Sequence, residues 1–191
     1  SVSYCLFGSK KHLMNELFEK KSLPFYKFGD TVYLPKIGTE DWVDYICGRF
    51  EATGKHISAE LAGKICRAVD NHSLYVQQLA WLVWIHTDET ATEQDFEGAY
   101  QDIIDQNTPL FEKQTESLTA YQMNFLRAVL EGVHREFTTR AVLQKYKLGS
   151  SANVSIVKRA LLKKELIEME KRQVVIPDPV MEEWLRRELG L

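Results

Sequence analysis

The chain has 191 residues, of which 45% are hydrophobic and 27% charged, the balance of a globular protein with enough apolar side chains for a sizeable core. No apolar run approaches the roughly 18 residues of a membrane-spanning helix, and the opening residues lack the basic leader of a secretion signal. The net charge of −3 is uneven, because residues 1–117 carry 11 basic and 18 acidic side chains, whereas residues 118–191 carry 13 and 9. This asymmetry predicts two units with different surfaces.

The first predicted element is a short apolar strand, Val2 to Phe7. A strand this apolar is typical of a parallel sheet buried on both faces, yet the next strand candidate is Thr31 to Leu34. A basic amphipathic helix is predicted between them, over residues 10–21. Two strands and one helix are too few to bury such a sheet. We therefore expect residues 1–38 to be the end of a larger α/β core, whose other strands lie upstream or in another chain.

From Thr39 onward, the apolar residues recur at the i, i+3, i+4 spacing of helices. Polar and acidic capping residues place the starts of three predicted helices at Thr39, Ser58 and Thr92, and a break at Asn71–Ser73 precedes a further helix, Leu74 to His86. Four helices with short connections predict a small bundle over residues 39–116. Pro109 and the polar run Lys113–Ser117 indicate the boundary of this bundle.

Residues 117–191 follow a different pattern. Capping residues and apolar spacing predict a helix, a second short helix, a turn, a third helix, two strands joined by a polar hairpin, and a closing helix. The bounds after the first helix, which opens at Ser117–Thr119, are Arg140–Tyr146, a start at Ser151, Leu166–Glu170, Val174–Pro177 and Pro179–Leu189. This order of elements is that of a winged helix-turn-helix domain.

A search for catalytic motifs finds none that fits. In the string Gly48–His56, five residues separate the glycines, His56 replaces the hydroxyl residue of a phosphate-binding loop, and a helix precedes the string instead of a strand. The string therefore predicts a helix end and a turn. No acidic pair ends an apolar strand to hold magnesium. We expect the chain not to be an enzyme as it stands.

Histidines and cysteines are too scattered to form a metal site. They occur singly, as His12, His56, His72, His86 and His134, and as Cys5, Cys47 and Cys66. Partnered or solvated histidines and buried free thiols are the interpretation we favour, and free thiols indicate a reducing, cytoplasmic location.

Basic residues cluster between positions 145 and 172, on the third helix of the winged domain and on its hairpin. DNA-bound winged helices use these elements to contact phosphates and base edges. The candidate contact residues, for DNA or for a protein partner, are Ser151, Asn153, Lys158, Arg159, Lys163, Lys171 and Arg172. Because the net charge of this half is modest for a DNA-binding domain, we favour docking to protein, within or between chains, over DNA binding.

Several stretches resemble one family, the STAND-type AAA+ P-loop ATPases of archaea and Bacteroides-like bacteria. Leu6–Ser9 looks like the strand that carries the sensor-1 position, and Leu23–Leu34 resembles the segment that returns to the last strand of the core. Asn71–Ala80 resembles the "GxPxYxQxLA" motif of the helical lid. Ile176–Pro179 with Trp184–Arg186 resembles the end of the family's winged helix.

The resemblance implies a mainly α architecture in three parts: a remnant of an α/β P-loop core at residues 1–38, a four-helix lid bundle at 39–116 and a winged helix at 117–191. In relatives, lid and winged helix close over ATP or ADP, with magnesium, bound by an upstream P-loop domain of the same protein. The residues nearest the nucleotide are then Ser9, His72, Ser73 and Tyr75, with Ser73 standing where relatives have proline. No nucleotide is expected to stay tightly bound to this part alone.

Two alternatives stay open. The winged helix is the working end of a DNA-binding transcriptional regulator, or the chain is an interaction adaptor that self-associates through the exposed strand at Tyr4, Leu6 and Phe7. No membrane partner is expected.

Overall fold

The computed structural model describes residues 4–8, 17–18, 20–26, 28–30, 32 and 34–191. The chain divides into two compact units, Ser1–Pro35 and Lys36–Leu191. In the first unit, Leu17 and Phe18 are helical and residues 21–26 form turns. The rest of the predicted helix over residues 10–21 lies mostly outside the described residues.

The two predicted strands of the first unit are not observed in their described residues. Residues 4–8, 32 and 34 have no strand structure, and Tyr4 and Phe7 are 73% and 92% exposed. A strand needs a neighbour to satisfy its backbone N–H and C=O groups, and no described strand runs beside these residues. The prediction of strands is therefore wrong for the described residues of these two segments, whose apolar side chains are exposed.

The second unit begins with a bundle of helices. Its members are α1 (Thr39–Glu51), α2 (Ala59–Ala68), α3 (Ser73–His86) and α4 (Glu93–Thr115). Two of the predicted caps form: Ser58 Oγ accepts a hydrogen bond from the Leu61 N–H, and Thr92 and Asp95 form a reciprocal capping box. The prediction that Thr39 caps α1 is wrong, because Thr39 is the first helical residue and Gly38, which has no side chain that could cap, occupies the N-cap position. The α1–α2 and α3–α4 connections meet at one end of the bundle, where the His56 backbone exchanges hydrogen bonds with Glu89 and Ala91.

The helix α4 continues six residues beyond Pro109 and ends at Thr115, within the polar run Lys113–Ser117 that, together with Pro109, is predicted to mark the boundary of the bundle. Proline removes one backbone donor and crowds the preceding turn. The carbonyl that loses its backbone donor is that of Asp105, while the preceding carbonyls of Ile103 and Ile104 accept additional side-chain hydrogen bonds, from Asn107 Nδ2 at 2.7 Å and from Thr108 Oγ1 at 2.9 Å. Phe111, beyond the proline, is fully buried and holds the last turns against the rest of the unit.

The remaining elements form the winged helix. They are α5 (Ala120–Leu130), α6 (Arg140–Lys145), α7 (Ser151–Lys163), β1 (Glu168–Glu170), β2 (Gln173–Val175) and α8 (Pro179–Glu188). The strands β1 and β2 are antiparallel, with Met169 opposite Val174. The loop after α5 lies beside β2, because the Val174 N–H donates to His134 O at 2.9 Å. A mainly α chain with a C-terminal winged helix is thereby confirmed.

One continuous hydrophobic core runs through both parts of the second unit. One contact between them is made by α4 and α8: the rings of Phe111 and Trp184 lie 5.7 Å apart, and Arg187 Nη1 donates to Gln101 Oε1 at 2.6 Å. Bundle and winged helix therefore fold as one body. None of the helices in the described residues has the length and apolar character needed to cross a membrane.

Candidate functional site

The turn between α2 and α3 holds two residues in the left-handed backbone region, Asp70 at φ 48° and Asn71 at φ 52°. Side chains adopt this region at a cost unless neighbouring groups hold them there. Lys36 Nζ donates to Asp70 Oδ2 at 2.6 Å and to Asp70 O at 2.9 Å, and Asn71 Nδ2 donates to Thr39 Oγ1 at 3.1 Å. The turn is thus fastened to the start of α1.

This turn delivers His72 and Ser73 to the N-terminus of α3. His72 is the N-cap residue, but its side chain makes no capping hydrogen bond. Its ring lies against the Tyr75 ring at 4.9 Å, and its Nδ1 has no hydrogen-bond partner in the described part of the chain. The first-turn N–H groups of a helix carry partial positive charge and favour an anionic neighbour. Ser73 is exposed beside them.

Tyr75 joins the bundle to the winged helix. Its hydroxyl donates to Asp178 Oδ2 at 2.7 Å, although the two residues are 103 positions apart. The other oxygen of this carboxylate, Oδ1, caps α8 by accepting from the N–H groups of Val180 and Met181 at 3.0 and 2.9 Å. Burial of the phenol and its bond to Asp178 raise the pKa of Tyr75 well above its usual range. The hydroxyl therefore stays protonated and donates at neutral pH.

The structure brings together three of the four residues proposed to lie near nucleotide: His72, Ser73 and Tyr75. Ser9, the fourth, lies outside the described residues. Asp178 was missed as a site residue, although its motif had been noticed, because nothing in a linear sequence pairs it with Tyr75. Together these residues form a junction, which we call the Tyr75–Asp178 junction, that orients the N-termini of α3 and α8.

Lys55 is the lysine of the segment that partly resembles a phosphate-binding loop, and its side chain already has partners within the protein. Its ammonium group donates to Trp84 O at 2.8 Å and to Thr87 O, and lies 4.3 Å from the centre of the Trp84 ring. Gly54 has φ 77° in the turn that follows α1. The predicted helix end and turn are confirmed here. Nowhere in the described ranges do His, Cys, Asp and Glu side chains form a group that could hold a metal ion.

The basic residues of α7 and the β-hairpin lie on the surface of the winged helix. Within the described chain, none of the five cations proposed as contacts forms an ion pair, namely Lys158, Arg159, Lys163, Lys171 and Arg172. Ser151 is exposed at the start of α7. Asn153, by contrast, is used locally: its Nδ2 donates to Leu148 O at 2.8 Å and fixes the turn before α7.

The tip of the hairpin is strained. Lys171 and Arg172 have φ values of 45° and 68°, so both central residues of this two-residue turn are left-handed. Such turns favour Asn and Gly. Lys171 and Arg172 therefore raise the conformational free energy of this turn, and the geometry of the turn does not explain why they are present.

Comparisons with known proteins agree with this architecture. A family described as a probable winged helix domain matches residues 109–187. The solved structure of the Walker-type ATPase PABY2304 of Pyrococcus abyssi is similar, with a TM-score of 0.67 and 16% identity over 91% of this chain and 50% of that chain. No curated protein matches the sequence. The chain thus spans about half of the ATPase chain that it matches, and it shares that part's fold, with a winged helix at its C-terminal end.

Proposed function

We propose that this chain is the C-terminal part of a STAND-like AAA+ ATPase, in which the bundle acts as a lid over ATP or ADP bound by a P-loop domain of the same protein. The identity of the partner domain, of the nucleotide and of its magnesium ion is inferred from the resemblance of the motifs. The likeness in fold to part of a Walker-type ATPase supports it. The proposal includes the assignment of residues 1–38 as the end of the α/β core of that P-loop domain.

One observation carries the proposal: the hydrogen bond between Tyr75 and Asp178, at 2.7 Å. The two residues belong to the two motifs that resemble the lid and the end of the winged helix in STAND ATPases. Each motif begins a helix, and the bond ties these helix starts to one another. A change in the nucleotide near His72 and Ser73 would therefore move the winged helix together with the bundle, rather than the bundle alone.

Thermal unfolding with and without Mg-ATP tests this function. The chain alone should neither hydrolyse ATP nor gain stability from it. When it is joined to the P-loop domain of its protein, saturating nucleotide should stabilise the assembly, by about 2.7 kcal/mol at a hundred times the Kd. Tyr75→Phe should reduce this gain, while the matched variant Tyr45→Phe, on the exposed side of α1, should keep it.

Two results would contradict the lid function. One is ATP hydrolysis by the chain alone, which would place the catalytic machinery within these residues. The other is an assembly with the P-loop domain that binds nucleotide but has the same stability with and without it.

DNA binding is a second candidate, favoured by the cations of α7 and the hairpin tip, which form no ion pair within the described part of the chain. If DNA is the partner, the chain should bind duplex DNA with an affinity that falls steeply with salt concentration, because each phosphate contact releases counterions. Lys158→Glu with Arg159→Glu should abolish this binding. Lys20→Glu with Lys21→Glu, outside the winged helix, is the matched control. Absence of binding at low salt would remove DNA as a partner.

A further inference from the structure

A pocket of about 400 Å³ opens between α1 and α3, away from the Tyr75–Asp178 junction. Its floor is buried and apolar, formed by Trp42, Ile46, Phe50 and Val76. Three further aromatic side chains form its walls: Tyr45, Trp81 and Trp84. This volume and lining are those of small-molecule sites, which are usually concave, mostly apolar and equipped with a few polar groups.

Two polar groups of this pocket lack partners. Trp42 is only 5% exposed, yet its indole Nε1–H has no hydrogen-bond acceptor among the described residues. A buried donor without an acceptor is costly and uncommon. In contrast, the Trp84 Nε1–H of the same pocket donates to Thr53 Oγ1 at 2.9 Å. Trp42 is therefore the donor that a bound molecule would satisfy.

Arg49 is the second polar group of the pocket without a partner among the described residues. It is exposed at the edge of the pocket, and its guanidinium forms no ion pair within the described ranges. No carboxylate lines the pocket, whose other polar residues are Gln77 and Thr53. The charge at the opening is thus positive in a part of the chain that is otherwise acidic, and a planar guanidinium suits a bidentate anion such as a carboxylate or a sulfonate.

We propose that this pocket binds a small, planar, aromatic molecule that carries one anionic group. The aromatic walls stack on its ring, Arg49 pairs with its anion, and an oxygen of the molecule accepts from the Trp42 Nε1–H. That N–H has no accessible surface, so the Trp42 or Trp81 ring has to rotate as the molecule enters. The site is separate from the nucleotide-facing junction and does not depend on the proposed function.

Anilinonaphthalene sulfonate is a suitable probe, because it combines fused aromatic rings with one anion. Its fluorescence should rise on binding, and Arg49→Ala should weaken binding about tenfold through loss of a charge-assisted hydrogen bond. Phenylnaphthylamine, which lacks the sulfonate, should be insensitive to the same substitution. Trp81→Ala should weaken the binding of both probes, whereas Tyr121→Ala should weaken the binding of neither, although this aromatic residue of α5 is exposed to a similar extent, 47% against 55%.

The four tryptophan indole N–H signals in a proton–nitrogen NMR spectrum locate the probe directly. The Trp42 signal should shift as the rings of the probe enter beside it, and the Trp184 signal of α8 should stay in place. A shift of Trp184 without one of Trp42 would overturn the proposal. So would binding that Arg49→Ala leaves unchanged, in a variant shown to be folded by circular dichroism.

Two other occupants are distinguished by the same probe. If binding is lost when the chain is joined to its P-loop domain, the pocket is a domain interface and the proposal fails. If binding is lost as the chain dimerises at higher concentration, measured by analytical ultracentrifugation, a second copy fills the pocket and the proposal also fails. Equal probe affinity for the chain alone and the joined protein, both monomeric, is the expected result.

Discussion

The helical bundle and the winged helix leave different surfaces open to solvent. On the bundle, large apolar side chains of α1 and α3 are about half exposed: Tyr45 at 51%, Leu74 at 62%, Trp81 at 55% and Ile85 at 49%. On the winged helix, α7 and the hairpin carry five cations that form no ion pair within the described residues, beside two exposed apolar side chains, Ile156 at 61% and Met169 at 45%. An apolar surface of this kind is typical of one that takes a partner or a ligand. A basic surface attracts anions and stays soluble by itself.

This difference indicates that the two parts work in different ways while folding as one. The bundle presents the candidate nucleotide-facing residues and the aromatic pocket, and the winged helix presents charge. They are connected through buried contacts between α4 and α8 and through the Tyr75–Asp178 junction. Variants of the buried contacts test this connection, and variants of exposed residues test the surfaces.

The largest effect is expected from Phe111→Ala. This side chain is fully buried and lies against Trp184, so its loss leaves a cavity between bundle and winged helix. We expect the free energy of unfolding to fall by about 3–5 kcal/mol, measured by urea denaturation with tryptophan fluorescence. Leu110→Ala is the matched control on the same helix, 51% exposed, and should change stability by less than about 0.5 kcal/mol. Two separate unfolding transitions in the unmodified chain would contradict the single shared core.

Tyr75→Phe should have the next largest effect. It removes a hydrogen bond to a charged acceptor while keeping the ring, so the free energy of unfolding should fall by about 1.5–3 kcal/mol. The same denaturation experiment measures this. Asp178→Ala should cost more, because it also removes the cap of α8. If Tyr75→Phe is as stable as the unmodified chain, the bond does not hold the two parts together.

Alkaline pH should weaken the same connection. Burial raises the pKa of Tyr100 to about 12 from 10.0, and burial with the bond to Asp178 raises the pKa of Tyr75 further. The folded state holds these protons more tightly than the unfolded state. The contribution of the two tyrosines to the free energy of unfolding is therefore fully present below pH 10 and is lost as the pH rises above 10. The slope per tyrosine is up to about 1.4 kcal/mol per pH unit. Thermal unfolding from pH 9 to 12 should show this fall, and Tyr75→Phe should make it shallower.

The smallest effect concerns the hairpin tip. Lys171→Asn with Arg172→Gly supplies the residues that a left-handed two-residue turn favours, so stability should rise by about 1 kcal/mol. Lys163→Gln, which removes an exposed cation of α7 without changing a turn, is the control for charge. A less stable double variant would show that the basic side chains themselves support the fold. A more stable variant that has lost a binding partner would show why they are present.

Much of the second unit could be predicted from local sequence. Ser58, Thr92 and Thr119 act as the helix caps that their residue types indicate, and the periodic apolar residues lie in the core. Local chemistry also places the hairpin, although β1 and β2 are shorter than predicted. These features depend on residues close to one another in the sequence, so the sequence alone is enough to predict them.

Long-range features were harder to predict. Pro109 is part of the predicted boundary of the bundle, but α4 continues through it to Thr115, and the buried Phe111 holds these last turns against the rest of the unit. Apolar residues 4–8 have the composition of a strand, yet a strand depends on neighbours that composition cannot supply. The bond between Tyr75 and Asp178 spans 103 residues and could be found only from the three-dimensional structure.

The most direct test of the central claim is hydrogen–deuterium exchange on the chain joined to its P-loop domain, with and without Mg-ATP. If nucleotide acts on bundle and winged helix through the Tyr75–Asp178 junction, backbone amides at residues 70–78 and 178–182 should gain protection together. Tyr75→Phe should uncouple them, leaving protection at residues 70–78 alone. Nucleotide binding that protects neither segment, or that protects both equally in Tyr75→Phe, would contradict the account.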